Sequence, residues 1–197
     1  MNIKACLLAV TVGSVPNLLL AAEPATEQFW QNLAQHCGQA YAGKRVIART
    51  DRPDMLQGDE TLVVHFRQCS DELLALPFHI GNADGSWDRS RTWRFSRQGT
   101  QLELRHDHRL ASGEPDLSNT MYGGFSIEEG SAYQQRFLFT ERQSAAGEAL
   151  GWQIEIVPGE RYTYGTFMGD GWSWRVDFDL TKPLAEIPPA PWGFAAD

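Results

Sequence analysis

Between positions 44 and 181, apolar and polar residues alternate in short runs, the period of a half-buried β-strand. Turn-forming residues interrupt these runs about every 8–12 positions. The first clear pair is 61–69 (TLVVHFRQC) and 72–80 (ELLALPFHI), with Leu74, Leu76, Phe78 and Ile80 forming one apolar face and His65 expected on a solvent-facing side. After a loop at 82–88, further strands are expected at 90–97, 101–109, 121–127, 132–139, 152–157, 160–168 and 172–180. The last is the most regular: Trp172, Trp174, Val176, Phe178 and Leu180 alternate with Ser173, Arg175, Asp177 and Asp179. Gly123-Gly124 suits a bulge or sharp bend.

Ahead of this region the spacing is helical. Phe29, Trp30, Leu33, Cys37 and Tyr41 recur at three- and four-residue intervals, an apolar stripe that leaves His36 at the surface. Thr26 is the expected cap, Glu27 lies near the positive end of the helix dipole, and Gly38 or Gly43 ends the helix. Eight or nine sequential strands with no helix between them predict a mainly β, antiparallel, up-and-down meander. Closing such a sheet on itself removes its exposed edges, so a barrel with the helix outside or across one end is expected, with a two-sheet β-sandwich as the alternative.

The hairpin over 90–109 holds most of the candidate chemistry. A two-residue turn at Gln98-Gly99 sets Arg94 opposite Glu103, Phe95 opposite Leu102, Trp93 opposite Leu104 and Arg91 opposite His106, with His108 one step beyond. On one face the apolar residues Trp93, Phe95, Leu102 and Leu104 therefore give way to Arg91, His106 and His108. Apolar walls with a few convergent polar groups are the usual anatomy of a small-molecule site, and these seven residues are the candidate ligand-binding set. Two other readings stay open: a hairpin end that simply rises into solvent, and a metal site using His106 and His108 with His79 or Asp88. No metal ligand set and no cofactor is assigned, and no catalytic residue is either.

The ends change where such a barrel would work. A basic start, an apolar run from Ala5 interrupted by Gly13, Pro16 and Asn17, and small residues at Ala21-Ala22 read as a signal peptide over 1–22. The run is short and broken against the ~20 apolar residues of a spanning helix. The expected organisation is a signal peptide (1–22), a barrel domain with its helix (23–181) and a proline-rich tail (182–197) lying extended over the surface. Removing the signal takes Cys6 with it and leaves Cys37 and Cys69, an even set for an oxidising compartment. A Cys37–Cys69 bridge would be worth about 3–4 kcal/mol in the chain-entropy model; two buried free thiols are the alternative. The formal charge of −8 becomes −9 without Lys4, and no basic run exists, which argues against nucleic acid as a partner. There is no G-x-S-x-G, phosphate-cradling glycine loop or H-E-x-x-H.

Four segments resemble those of a family of uncharacterised exported bacterial proteins. They are F-W-x6-C-G-x-A-Y-x-G at 29–43, R-S-R-T-W at 89–93 with L-R-H-D-H-R at 104–109, V-D-F-D-L-T at 176–181, and P-P-A-P-W-G at 188–193. The resemblance implies export, to periplasm or medium, and no particular chemistry. The architecture is also similar to the lipocalin (calycin) and fatty-acid-binding barrels, at the level of fold alone. The expected function is an exported protein that binds a small amphipathic or anionic molecule. The alternatives are a His-dependent, metal-assisted hydrolase or isomerase, and an envelope protein docking a partner through the aromatic tail at 188–194.

Overall fold

The computed structural model describes residues 23–50, 53–127 and 130–195; the segment read as a signal peptide lies outside the described residues. The chain opens with α1 (Ala25–Ala34), which buries Phe29, Trp30 and Leu33. It continues with β1 (Ala40–Ile47), β2 (Thr61–His65), the short β3 (Gln68–Cys69), β4 (Leu73–Gly81), β5 (Trp87–Gln98) and β6 (Gln101–His108). It ends with β7 (Tyr122–Ser126), β8 (Gln134–Gln143), β9 (Ala149–Val157), β10 (Arg161–Met168) and β11 (Gly171–Pro183).

Each long strand pairs antiparallel with the next, β11 returns to β1, and β2 pairs with β4. The ten long strands thus close into an up-and-down barrel, and the sandwich alternative is excluded. The expected strand over 61–69 is two pieces, because the chain breaks from the sheet at Phe66 and Arg67 before β3 resumes on β4.

The helix plugs one end. Asn32 donates to the carbonyl of Ala132 in the β7–β8 connection at 2.8 Å, and Arg97 at the end of β5 makes a bidentate pair with Glu27. Thr26 does not cap the helix: Pro24 holds the N-cap position without a side-chain hydrogen bond, and Thr26 lies inside the first turn. Gly38, in the left-handed region at φ +81°, turns the chain out of the helix into β1, as its position predicts. The Cys37–Cys69 disulfide ties that turn to β3.

Alternation places the core. Trp93 stacks between Phe78 (5.0 Å between centroids) and Tyr164 (3.9 Å), with Tyr162 and Phe178 around it. Phe66, Leu76, Phe95, Leu104, Phe137, Ile154, Ile156 and Val176 join this stack and the buried helix residues in one core. The helix-side part of the barrel is therefore a packed interior. Gly123 and Gly124 are required by close approach: a Cβ on either would lie 1.8 Å from the Leu104 or Leu138 carbonyl oxygen of the neighbouring strand.

Two registers differ from expectation. The β5–β6 turn is Gly99-Thr100, with Gly99 at φ +63°, so Phe95 faces Leu104, Trp93 faces His106 and Arg91 faces His108. The expected turn was one residue early; moving it shifts each partner by two, which preserves every side chain's face. In β11, a bulge beside Thr166/Phe167 turns Trp172 outward over Gly165, while Trp174 stays inside. Alternation alone had placed both on one face.

The tail (184–195) lies extended over the barrel's outer wall. Leu184 N–H donates to Ala40 O on β1, and Trp192 N–H to Arg89 O on β5. Between these anchors it spans β2 and β4, whose outward residues Val63, His65, Pro77 and His79 are buried. His65 is therefore not exposed. His36 is buried too, with Nδ1 2.8 Å from the Tyr41 hydroxyl and Nε2 accepting from Gly159 N–H.

Candidate functional site

At the end opposite the helix, the packed interior opens into a cup of about 590 Å³. Its walls come from β7 to β11: Tyr122, Phe139, Trp152, Tyr164, Phe167 and Trp174 are aromatic, and Thr166 and Ser173 supply hydroxyls. Residues 49, 53–55 and 118–120 complete the rim. The aromatics belong to one continuous set, with Phe139 5.1 Å from Trp152 and Trp174 edge-on to Tyr164 at 6.1 Å. Such side chains bury large rigid areas and favour flat apolar partners.

The cup's charges balance. Among the described residues, Arg49 and Arg142 stand against Asp54 and Glu141, a net formal charge of zero. Arg49 donates to the Thr166 hydroxyl at 3.2 Å, which also bonds the Ser173 hydroxyl at 2.8 Å. Asp54 accepts from Arg49 N–H, Leu56 N–H and the Trp174 indole, and pairs with Arg45 at 3.2 Å. Burial opposes its ionisation, yet these donors hold its carboxyl below the usual range.

None of the seven residues singled out on the β5–β6 hairpin lines the cup. Trp93, Phe95, Leu102 and Leu104 are in the packed core. Arg91 bonds the Asp88 carboxylate at 2.5 Å and the Ser90 hydroxyl at 2.9 Å. His106 and His108 lie directly behind the lining and hold it in place. His106 stacks on Tyr122 at 4.6 Å and packs against Trp152 at 4.7 Å. His108 bonds the Tyr122 hydroxyl through Nε2 at 3.2 Å and the Asn119 side chain through Nδ1 at 3.1 Å.

The protons of His106 can be assigned from its partners. Nδ1 lies 3.1 Å from the Tyr122 carbonyl oxygen, which can only accept, so Nδ1 bears the hydrogen. Complete burial pushes the ring's pKa down to about 3, so it is neutral and Nε2 is bare. The Tyr164 hydroxyl, 2.7 Å away, therefore donates to Nε2. With both nitrogens engaged, this geometry offers no opening for His106 as a general base. Burial, reinforced by Arg91, lowers His108 to about 4.

His79 is on the outer wall beneath the tail, away from His106 and His108, so it cannot complete a metal site with them. Among the described residues no cluster of three His, Cys, Asp or Glu side chains could hold a metal ion, and no helix is long and apolar enough to cross a membrane. The aromatic tail is already engaged: the Arg109 guanidinium sits 4.6 Å over the Phe194 ring, and Arg89 donates to Ala190 O.

The cup was not legible as a site because its lining is scattered over five strands and two connections, and its tryptophans read as ordinary core positions. The one usable signal was the density of aromatics at 152, 164 and 174. No protein-family model, curated protein or solved structure matches the chain.

Proposed function

We propose that this is an exported binding protein that holds a small amphipathic molecule in the aromatic cup at the open end of its barrel. The observation that carries the reading is the cup itself: an open recess of about 590 Å³ lined by six aromatic residues above a packed core. Recesses of this size that combine apolar walls with polar groups suit ligands of small-molecule dimensions. Export is supported by the Cys37–Cys69 disulfide, which persists in oxidising compartments. The seven hairpin residues act here as a supporting set, with His106 and His108 fixing Tyr164 and Tyr122.

The test uses N-phenyl-1-naphthylamine, a neutral amphipathic dye that fluoresces on leaving water. The full chain is expected to bind it, and Trp152→Ala to weaken binding at least tenfold while the far-ultraviolet spectrum stays unchanged. Absence of dye binding to the wild type, or unaltered binding to the variant, would refute the reading.

A further inference from the structure

We infer that the cup selects a neutral ring compound bearing a hydrogen-bond donor, a hydroxyl or N–H, and that the Tyr164 oxygen is the group that selects it. This rests on the cup being the binding site and specifies which chemistry it takes.

A phenol has one hydrogen to give and two lone pairs to receive. The Tyr122 carbonyl fixes the hydrogen of His106 on Nδ1, which leaves Nε2 able only to accept. The Tyr164 hydrogen is thereby committed to His106. The Trp93 ring stacks flat on Tyr164 at 3.9 Å, so what the oxygen has left to offer is its lone pairs. Burial raises Tyr164 well above the ordinary tyrosine range, so the group stays a neutral phenol. Toward the cup Tyr164 is an acceptor only. A ligand hydroxyl or N–H satisfies it, whereas an ether oxygen or a carboxylate meets it lone pair to lone pair.

Charge points the same way. Among the described residues the lining's two arginines and two carboxylates cancel, and Asp54 and Arg49 already bond to their neighbours, so these walls give no surplus of either sign. The aromatic walls favour a flat ring. Sites built to bond a ligand hydroxyl reject analogues that lack it far more strongly than apolar walls reject a missing methylene. His106 is a positioning residue in this scheme: it sets the polarity of Tyr164 without touching the ligand.

Three matched probes test this by calorimetry on the full chain: 4-propylphenol, 4-propylanisole and 4-propylbenzoate. The phenol is expected to bind at least tenfold more tightly than the ether or the carboxylate. Tyr164→Phe should bring the phenol down to the level of the ether and leave the ether unchanged. Equal or tighter binding of the ether or the benzoate overturns the inference, as does a preference that survives in Tyr164→Phe. Should that variant fail to fold, ¹⁵N shifts of His106 in the wild type decide: a protonated Nδ1 with bare Nε2 supports the inference, and the opposite tautomer overturns it. If N-phenyl-1-naphthylamine binds without any phenol preference, only this inference falls. If neither the dye nor any of the three probes binds, the cup reading falls with it.

Discussion

Replacing His79 by Leu should make the protein more stable, and increasingly so as the pH falls. His79 is on the outer wall of β4, fully buried beneath the tail, and neither ring nitrogen has a hydrogen-bond partner among the described residues. Leaving a polar group buried and unbonded costs about 1–3 kcal/mol, which a leucine would recover at neutral pH. Protonation adds a second effect. Burial lowers His79 to about 4, with His65, Arg89 and Arg67 reinforcing the shift and Asp88 opposing it. A histidine whose folded pKa lies below its unfolded value binds its proton more readily when unfolded. The stability tied to its neutral form is complete above about 6.5 and is lost as the pH falls through the window from about 6.5 to about 4. At about 1.4 kcal/mol per unit the loss approaches about 3 kcal/mol at the lower end. His106 and His108 behave likewise but are common to both proteins, so the difference isolates His79. Urea unfolding at pH 7.5, 6, 5 and 4 measures it: the advantage of His79→Leu should be about 1–3 kcal/mol at pH 7.5 and grow by up to about 3 kcal/mol at pH 4. A pH-independent difference, or a variant weaker than wild type at pH 7.5, would refute the reasoning.

Replacing both Cys37 and Cys69 by serine should cost about 3–4 kcal/mol, since the bridge closes a separation of 32 residues; a loss under about 1 kcal/mol in urea would contradict it. Ending the chain at Pro183 removes the tail and should let His79 titrate close to an ordinary histidine by NMR, whereas an unchanged titration would show that the tail does not enclose it. Tyr162 lies in the core with no partner for its hydroxyl among the described residues, so Tyr162→Phe should gain about 1 kcal/mol; a thermal midpoint below wild type would argue otherwise.

What could be read from the sequence was whatever depends on neighbours close along the chain. Alternation in 72–80 and 174–180 marks inward faces, and Gly38 marks the end of the helical stripe, because each reflects local backbone geometry. The hairpin faces survived a misplaced turn because moving the turn by one residue shifts partners by an even number. Burial that depends on distant partners was not readable. His65 and His79 are covered by a tail that is more than 100 residues away in sequence, and His36 is held by Tyr41 and Gly159. Trp172 left the inner face through a bulge opposite Thr166/Phe167, which period-two reading cannot register. The hairpin histidines drew notice for their residue types, yet they stand behind the cup while aromatics from β7 to β11 face it.

Indole N–H resonances offer the most direct measurement of whether that cup binds. Among the seven tryptophans, only Trp152 and Trp174 line it. Titration with N-phenyl-1-naphthylamine should shift those two saturably and together, leaving Trp30 at the helix end and Trp192 in the tail unmoved. Shifts centred on Trp192 or Trp30, or none at Trp152 and Trp174, would contradict a binding site at the mouth of the barrel.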